Sequence, residues 1–446
     1  MSKQQEPDRA GIRFGPFWVS PGLARSNVWT IVFASFMTIP MIVFMSTIQP
    51  YVLNEIVMIP EDRQGQIIGY LTAMQEGIVV LLVGLAGAWS DRVGRRFVFV
   101  LGFGILAAGY FIYPFASNEF ELFAYRLLFA FGIVLVPVML SSVVQDTPQE
   151  ISRGRWVGFM NICQGLGVAL LATVLLGRLA PPLFVSLGYS AAMAGRLTLW
   201  SAASLCALVA LVLWRGLPAE LGKARTRRKK NLVGQFRDGV LEGIHNPRLA
   251  IAFFAAFIGR GDLVIVGNFL ILRATQNGID QGLTTVEASG KAFMIFFIVI
   301  LSSLLWAFFM GLIADRRNRV SAICIALTLA TLAYILAGVA DDPLARSFIP
   351  IAILLGIGEV SVIVTGGALF GQEAKPSMRG TLVGVFNTMG GIGIIVVSGI
   401  GGILYDQTGR GTPFVMMGIL NGLLLLAALY VRFRAGEPEP HSEEHR

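Results

Sequence analysis

The chain of 446 residues is short of charge, histidine and cysteine, and each shortage removes a class of function. Only 14% of its residues are charged, against about 25% in a typical soluble domain. Its three cysteines, Cys163, Cys206 and Cys324, are odd in number and lie far apart inside apolar runs, so neither a disulfide scaffold nor a zinc site is expected. The three histidines, His245, His441 and His445, fall outside the apolar runs. That leaves no histidine for a proton relay within those runs and removes the commonest general base of an enzyme. No G-x-x-x-x-G-K-[ST] loop is present to cradle ATP. Catalytic residues, a metal and a cofactor are therefore not expected, and any energy input must come from a gradient or a partner. The first 27 residues lack an apolar h-region, so a cleaved signal peptide is not expected either.

Hydrophobic residues fill the space left by charge, at 55% of the chain with a mean hydropathy of +0.71. A membrane span needs roughly 20 mostly apolar residues, and twelve such runs can be marked. The first six run from Trp29 to Gln49, Gln66 to Trp89, Phe97 to Phe115, Glu121 to Val144, Trp156 to Leu179 and Leu197 to Trp214. The second six run from Leu249 to Leu272, Lys291 to Ile313, Val320 to Ala340, Phe348 to Phe370, Leu382 to Ile403 and Thr412 to Val431. An even number puts both termini on one side. Of the 35 Lys and Arg, 26 lie in the tails and the loops on that side, seven lie on the other, and Arg126 and Arg260 lie within spans. By the positive-inside rule the termini are cytoplasmic, and the net charge of +8 requires no nucleic-acid partner.

Two segments occur twice. GAWSDRVGRR at 87–96 and GLIADRRNRV at 311–320 place Gly87, Asp91, Arg92 and Arg95 against Gly311, Asp315, Arg316 and Arg319, at an offset of 224. RGRWVGFMNICQGLG from Arg153 aligns with RGTLVGVFNTMGGIG from Arg379 at an offset of 226, pairing Asn161 with Asn387. So many matches at nearly one offset make the chain two six-helix halves. The expected organisation is a tail at 1–27, a bundle at 28–215, a basic linker at 216–248, a bundle at 249–433 and a tail at 434–446.

These residues carry a resemblance to the major facilitator superfamily that covers essentially the whole chain. The loop after span 2 matches the family pattern G-x-L-A-D-R-x-G-R-R/K through Gly87, Asp91, Arg92, Gly94, Arg95 and Arg96, with Trp89 and Ser90 departing from it. The span 4 pattern R-x-x-Q-G-x-G survives only as Arg126 and Gly132. The resemblance implies an all-α membrane protein of twelve helices in two pseudo-symmetric bundles, working as a secondary transporter by alternating access. It further implies that Asp91 faces the start of span 11 at Arg379-Gly380-Thr381 and Asp315 faces the start of span 5 at Arg153-Gly154-Arg155. Carboxylates are favoured at helix N-termini, so these contacts would form in one orientation of the halves and break in the other. Gly87 would allow close helix approach and Gly94 a tight turn.

Charges at mid-span are costly and usually functional. Glu76 in span 2 and Glu359 in span 10 are expected to look into a cavity. GRGD at 259–262 in span 7 sets Arg260 and Asp262 two residues apart, on different faces of a regular helix. Its glycines suggest a local helix break there, with Glu76 or Glu359 as partners for Arg260. Arg126 sits near the outer end of span 4, within reach of the surface. Gln75, Asn161 and Asn387 are cavity candidates. KARTRRKK at 223–230 fits contact with anionic lipid, followed by an amphipathic surface helix carrying Leu232, Phe236, Val240 and Ile244 and ending at Asn246-Pro247. The expected protein is a monomer of a bacterial inner membrane that moves a small organic solute with H+. An exporter or a flux-free sensor are the alternatives, and the absence of the Gly-Pro exporter signature at Gly167-Val168 weighs against the first.

Overall fold

The computed structural model describes residues 11–218 and 232–434. Among the described residues, twelve helices are long and apolar enough to cross a membrane. Spans 1 to 6 are Arg25–Glu55, Glu61–Val93, Arg95–Phe115, Glu119–Asp146, Glu150–Ser186 and Ala191–Gly216. Spans 7 to 12 are Pro247–Asp280, Thr285–Arg316, Arg319–Val339, Arg346–Glu373, Pro376–Thr408 and Thr412–Arg434. Most run several residues beyond the apolar stretches read from sequence, because polar first turns are held by caps. Asn118 Oδ1 accepts the Glu121 amide at 3.0 Å at span 4. Asn246 Oδ1 accepts the amides of Arg248 and Leu249 ahead of span 7, with Pro247 in the first turn. Thr284 and Glu287 form a capping box at span 8, and each device satisfies amides that a helix start leaves free.

Spans 1 to 6 pack together, as do spans 7 to 12, and the two bundles meet along two seams, span 2 on span 11 and span 5 on span 8. Small residues set the approach within each bundle. In the first, Gly102 lies against Val136 and Gly109 against Phe129; in the second, Gly358 lies on the Ala330 backbone and Gly418 on Ile335. The duplication shows in the bonds as well. Tyr110 and Tyr334 are 224 residues apart; the first donates to the Met41 carbonyl of span 1 and the second to the Asp262 carbonyl of span 7. Each phenol thus ties span 3 or 9 to the first span of its own bundle.

Two local features differ from expectation, and a third agrees with it. The helix stays α-helical through GRGD, and the irregularity lies just beyond it, in a π-helical stretch at Ile265–Leu270. Glycine permits a break but does not require one when both sides of the helix are packed, as at Gly261 against Val397. Within the segment expected to be a tail, Ile12–Phe14 and Phe17–Val19 form an antiparallel hairpin, with Gly15 at φ +56° in its two-residue turn. The hairpin is sewn to the loop before span 5: Trp18 N–H donates to Ser152 Oγ, Gln149 N–H to the Trp18 carbonyl, and Ser20 N–H to the Thr147 carbonyl. The linker helix spans Leu232–His245 and leaves Phe236, Val240 and Ile244 exposed, as a surface helix should. The KARTRRKK run, His441 and His445 lie outside the described residues.

Candidate functional site

The seam between spans 2 and 11 is built from small residues. A Cβ on Gly65 would lie 2.5 Å from Asp406 Oδ1, one on Gly69 would strike the Ser398 carbonyl, and one on Gly402 would lie 2.5 Å from the Gly65 carbonyl. The helices therefore touch backbone to backbone at the end remote from the termini. Asp406 accepts the amides of Gly65 at 2.9 Å and Gln66 at 2.7 Å. Gln276 of span 7 donates to Gln64 Oε1 at 3.2 Å and to the Glu61 carbonyl at 3.4 Å, while its own oxygen accepts the Tyr405 hydroxyl. Arg410 joins Glu61 at 3.1 Å and Asp280 at 2.5 Å. Partial burial opposes the Arg410 charge, but its bond to Asp280 and the nearby Glu61 carboxylate hold it above the ordinary arginine value. On the other seam Gly177 accepts the face of Phe293, and Arg178 reaches Met294 Sδ at 2.7 Å. At mid-depth Asn268 donates to Thr72 Oγ1 at 2.9 Å; it lies in the π-helical stretch.

Toward the termini the same seams part. A Cβ added at Gly84, Gly380 or Gly384 would meet nothing within 4 Å, and the same holds for Gly154, Gly158 and Gly311. Gly87 would touch only Val138 of its own half, at 4.0 Å, so the close approach expected of it is not made in this state. Asp91, Asp315 and Arg379 are exposed and form no hydrogen bond or ion pair among the described residues. The crossing contacts expected of Asp91 and Asp315 are not made in this structure, and the two bundles are parted on the side of the termini and packed together on the other. Arg153 pairs with Glu150 of its own half.

The arginines of the duplicated loops hold each loop to its own bundle. Arg95 pairs with Asp146 and donates to the Ser142 carbonyl at 3.2 Å. Arg319 donates to the Ala368 carbonyl at 3.1 Å, and Ser142 and Ala368 are themselves 226 residues apart. Arg96 stacks on Trp214 at 4.6 Å, Gly94 turns the chain at φ +99°, and Arg92 and Arg316 are exposed.

Glu76 and Arg260 meet across the halves at mid-depth, where Arg260 is the charged neighbour of Glu76 short of a direct ion pair. Adjacent glycines on span 11 make room for both: a Cβ on Gly390 would lie 2.8 Å from Arg260 Cγ, and one on Gly391 3.3 Å from Glu76 Oε1. Of the two partners expected for Arg260, Glu76 is the one found beside it. Glu359 requires a correction: expected to look into a cavity, it turns into the second bundle, 4% exposed, and Asp262 is buried in the same bundle at 0%, bonded to another helix. Asn421 Nδ2 donates to the two Asp262 oxygens at 3.2 and 3.4 Å, Glu359 is the neighbouring charge, and Glu359 Oε2 has no hydrogen-bond partner. Arg126 does not reach the surface. It is 1% exposed inside the first bundle, donates to Ser46 Oγ at 2.8 Å and lies over Phe129, with two of its nitrogens unpaired. Gln75 is buried with its oxygen unpaired. Asn161 and Asn387 are exposed on the open side, Asn161 accepting a bond from Gln164.

Sequence reading missed Gln64, Asn268, Gln276, Tyr405, Asp406 and Arg410. A polar residue deep in an apolar run was the available signal for Asn268. The others sit at span ends, where polar residues are ordinary and nothing marks them out.

The model of the Major Facilitator Superfamily matches residues 29–345 and 252–446. The chain is 26% identical over 409 residues to the magnetosome protein MamZ of Paramagnetospirillum magneticum, covering 86% of this chain and 59% of that protein. It is 25% identical over 394 residues to the magnetosome protein MamH of the same organism, covering 86% of this chain and 87% of the relative. The chain thus spans well under two thirds of MamZ but most of MamH. Among solved structures, the nucleoside transporter NupG superimposes with a TM-score of 0.71 at 16% identity, over 92% of this chain and 100% of that one, which is a likeness of fold.

Proposed function

Since the chain belongs to the major facilitator superfamily, we propose that it is a secondary transporter carrying a small organic solute by alternating access, driven by a proton gradient. One observation carries this reading: both seams are sealed at one end and parted at the other, with Arg260 and Glu76 from opposite halves set against the adjacent glycines Gly390 and Gly391 of span 11. A solute that competes for Arg260, or a proton that neutralises Glu76, changes the force between the halves. The proton site is the pair Asp262 and Glu359. Two ionised carboxylates side by side in a helix bundle without a cation are too costly to persist, so the pair holds a proton and gives it up when the bundle admits water. Arg126, buried in the first bundle with no carboxylate bonded to it among the described residues, takes an anionic group if the cavity reaches it. The lysine and arginine bias makes the open side cytoplasmic in a bacterial inner membrane, with the basic linker on anionic lipid.

The test is uptake into liposomes across a panel of amino acids, sugars, organic acids and cationic drugs, with and without an imposed pH gradient. The reading expects one class to accumulate only with the gradient, and the gradient dependence to disappear in Asp262→Asn and Glu359→Gln. Gradient dependence unchanged in both variants removes these carboxylates from coupling.

A further inference from the structure

We propose that Asp406 is a positioning residue that latches the closed side, so that spans 2 and 11 carry an acidic latch at each end and the two are engaged in turn. The inference rests on the alternating-access reading above. In the state observed, the Asp406 carboxylate at the end of span 11 takes the Gly65 and Gln66 amides near the start of span 2. The start of span 2 has no cap of its own: its N-cap is Pro60, which bonds nothing through its side chain, and Glu61 is held by Arg410. Glu61 and Asp62 put acidic charge in its own first turn, and the Asp406 carboxylate adds two amide hydrogen bonds from the opposite half that are lost when the halves part. At the other end of the same two helices the roles reverse. Asp91 closes span 2 and is the residue that the family resemblance sets against the start of span 11; in this state it is exposed and forms no bond among the described residues. A carboxylate at a helix N-terminus is thus available at either end, and rocking exchanges one for the other.

The second seam lacks this arrangement on the closed side. At the offset of 226 the counterpart of Asp406 is Ala180, and spans 5 and 8 meet there through Gly177, Phe293 and the Arg178–Met294 contact. The open side has an aspartate on both seams, Asp91 and Asp315; on the closed side Asp406 has no aspartate as its counterpart on the second seam. Asp406 is consequently the residue whose removal should release the closed side without touching the open one.

The experiment measures distances between spin labels at Leu187→Cys and Val339→Cys, both exposed on the closed side in opposite halves, with Cys163 replaced by serine, in lipid nanodiscs. Asp406→Asn should raise the long-distance population about 5- to 30-fold, the size of a partly buried carboxylate–helix contact. Gly65→Ala, whose Cβ would crowd Asp406 Oδ1 at 2.5 Å and Tyr405 at 2.7 and 2.9 Å, should shift it in the same direction and serves if Asp406→Asn does not fold. Asp91→Asn should leave that population unchanged or lower it. An unchanged distribution in both Asp406→Asn and Gly65→Ala overturns the latch, as does a rise in Asp91→Asn. One fixed distance in every variant and at every pH overturns the two-state reading itself, and the latch falls with it.

Discussion

Replacing Gly402 by alanine tests how the closed state is held. The added Cβ would sit 2.5 Å from the Gly65 carbonyl oxygen and 3.1 Å from both the Gly65 carbonyl carbon and Gln66 Cα. Every one of these atoms is backbone of the opposite half, so no rotamer change relieves the overlap. The only relief is separation of spans 2 and 11. Overpacking of this kind costs about 1–3 kcal/mol, and the cost falls only on the state in which the seam is closed, because the helices part in the other. A difference of 1–3 kcal/mol is roughly a 5- to 150-fold shift in the ratio of states. The assay is alkylation of Ser398→Cys by a membrane-impermeant maleimide, since Ser398 is 0% exposed on this seam. The labelling rate should rise in proportion to the population shift. Gly84→Ala, where the Cβ meets nothing within 4 Å, is the control and should leave the rate unchanged. A Gly402→Ala protein that folds and labels no faster than its parent refutes the backbone contact as the seal.

Arg410→Gln should weaken the same closure less, by under about 1 kcal/mol, because its pairs with Glu61 and Asp280 are partly solvated; the same labelling rate measures it. Arg126→Met removes a buried charge that has no carboxylate partner, and if the residue is structural, thermal stability should hold or rise by about 1–4 kcal/mol; loss of uptake with stability intact would instead make it a solute contact. Glu76→Gln should abolish accumulation while leaving the melting temperature within a few degrees, since Glu76 is not fully buried. Phe17→Ala strips the hairpin of its edge-on contact with Trp156 at 5.3 Å and should cost about 3 kcal/mol, read as faster proteolysis before Arg25.

The twelve spans, the two halves and the turn at Gly94 were legible because each rests on a local pattern: apolar length, repeated residues, a glycine between charges. What was not legible depends on the rotation of a helix about its axis. The spacing of Arg260 and Asp262 requires opposite faces, and the structure agrees, but only the packing of spans 9 and 12 shows that Asp262 is the residue turned inward, toward Tyr334 and Asn421. Asn421 lies 159 residues away, beyond any local signal. Asp406 was hidden for a related reason. An aspartate at a span end is commonplace, and its role comes from the amides of Gly65 and Gln66 more than 300 residues earlier. The hairpin escaped notice because its strands are three residues each and are stabilised by a loop distant in sequence.

Opening of the closed side during transport can be tested most directly by preventing it. Gln64 and Gln276 bond across the halves at 3.2 Å, so cysteines at both positions, joined by a short cleavable bifunctional thiol reagent, tie the seam shut. Uptake of the solute identified in the liposome screen should stop on linkage and return when the link is reduced, while either single cysteine treated alike transports normally. Full-rate uptake by the linked protein would contradict alternating access through this seam.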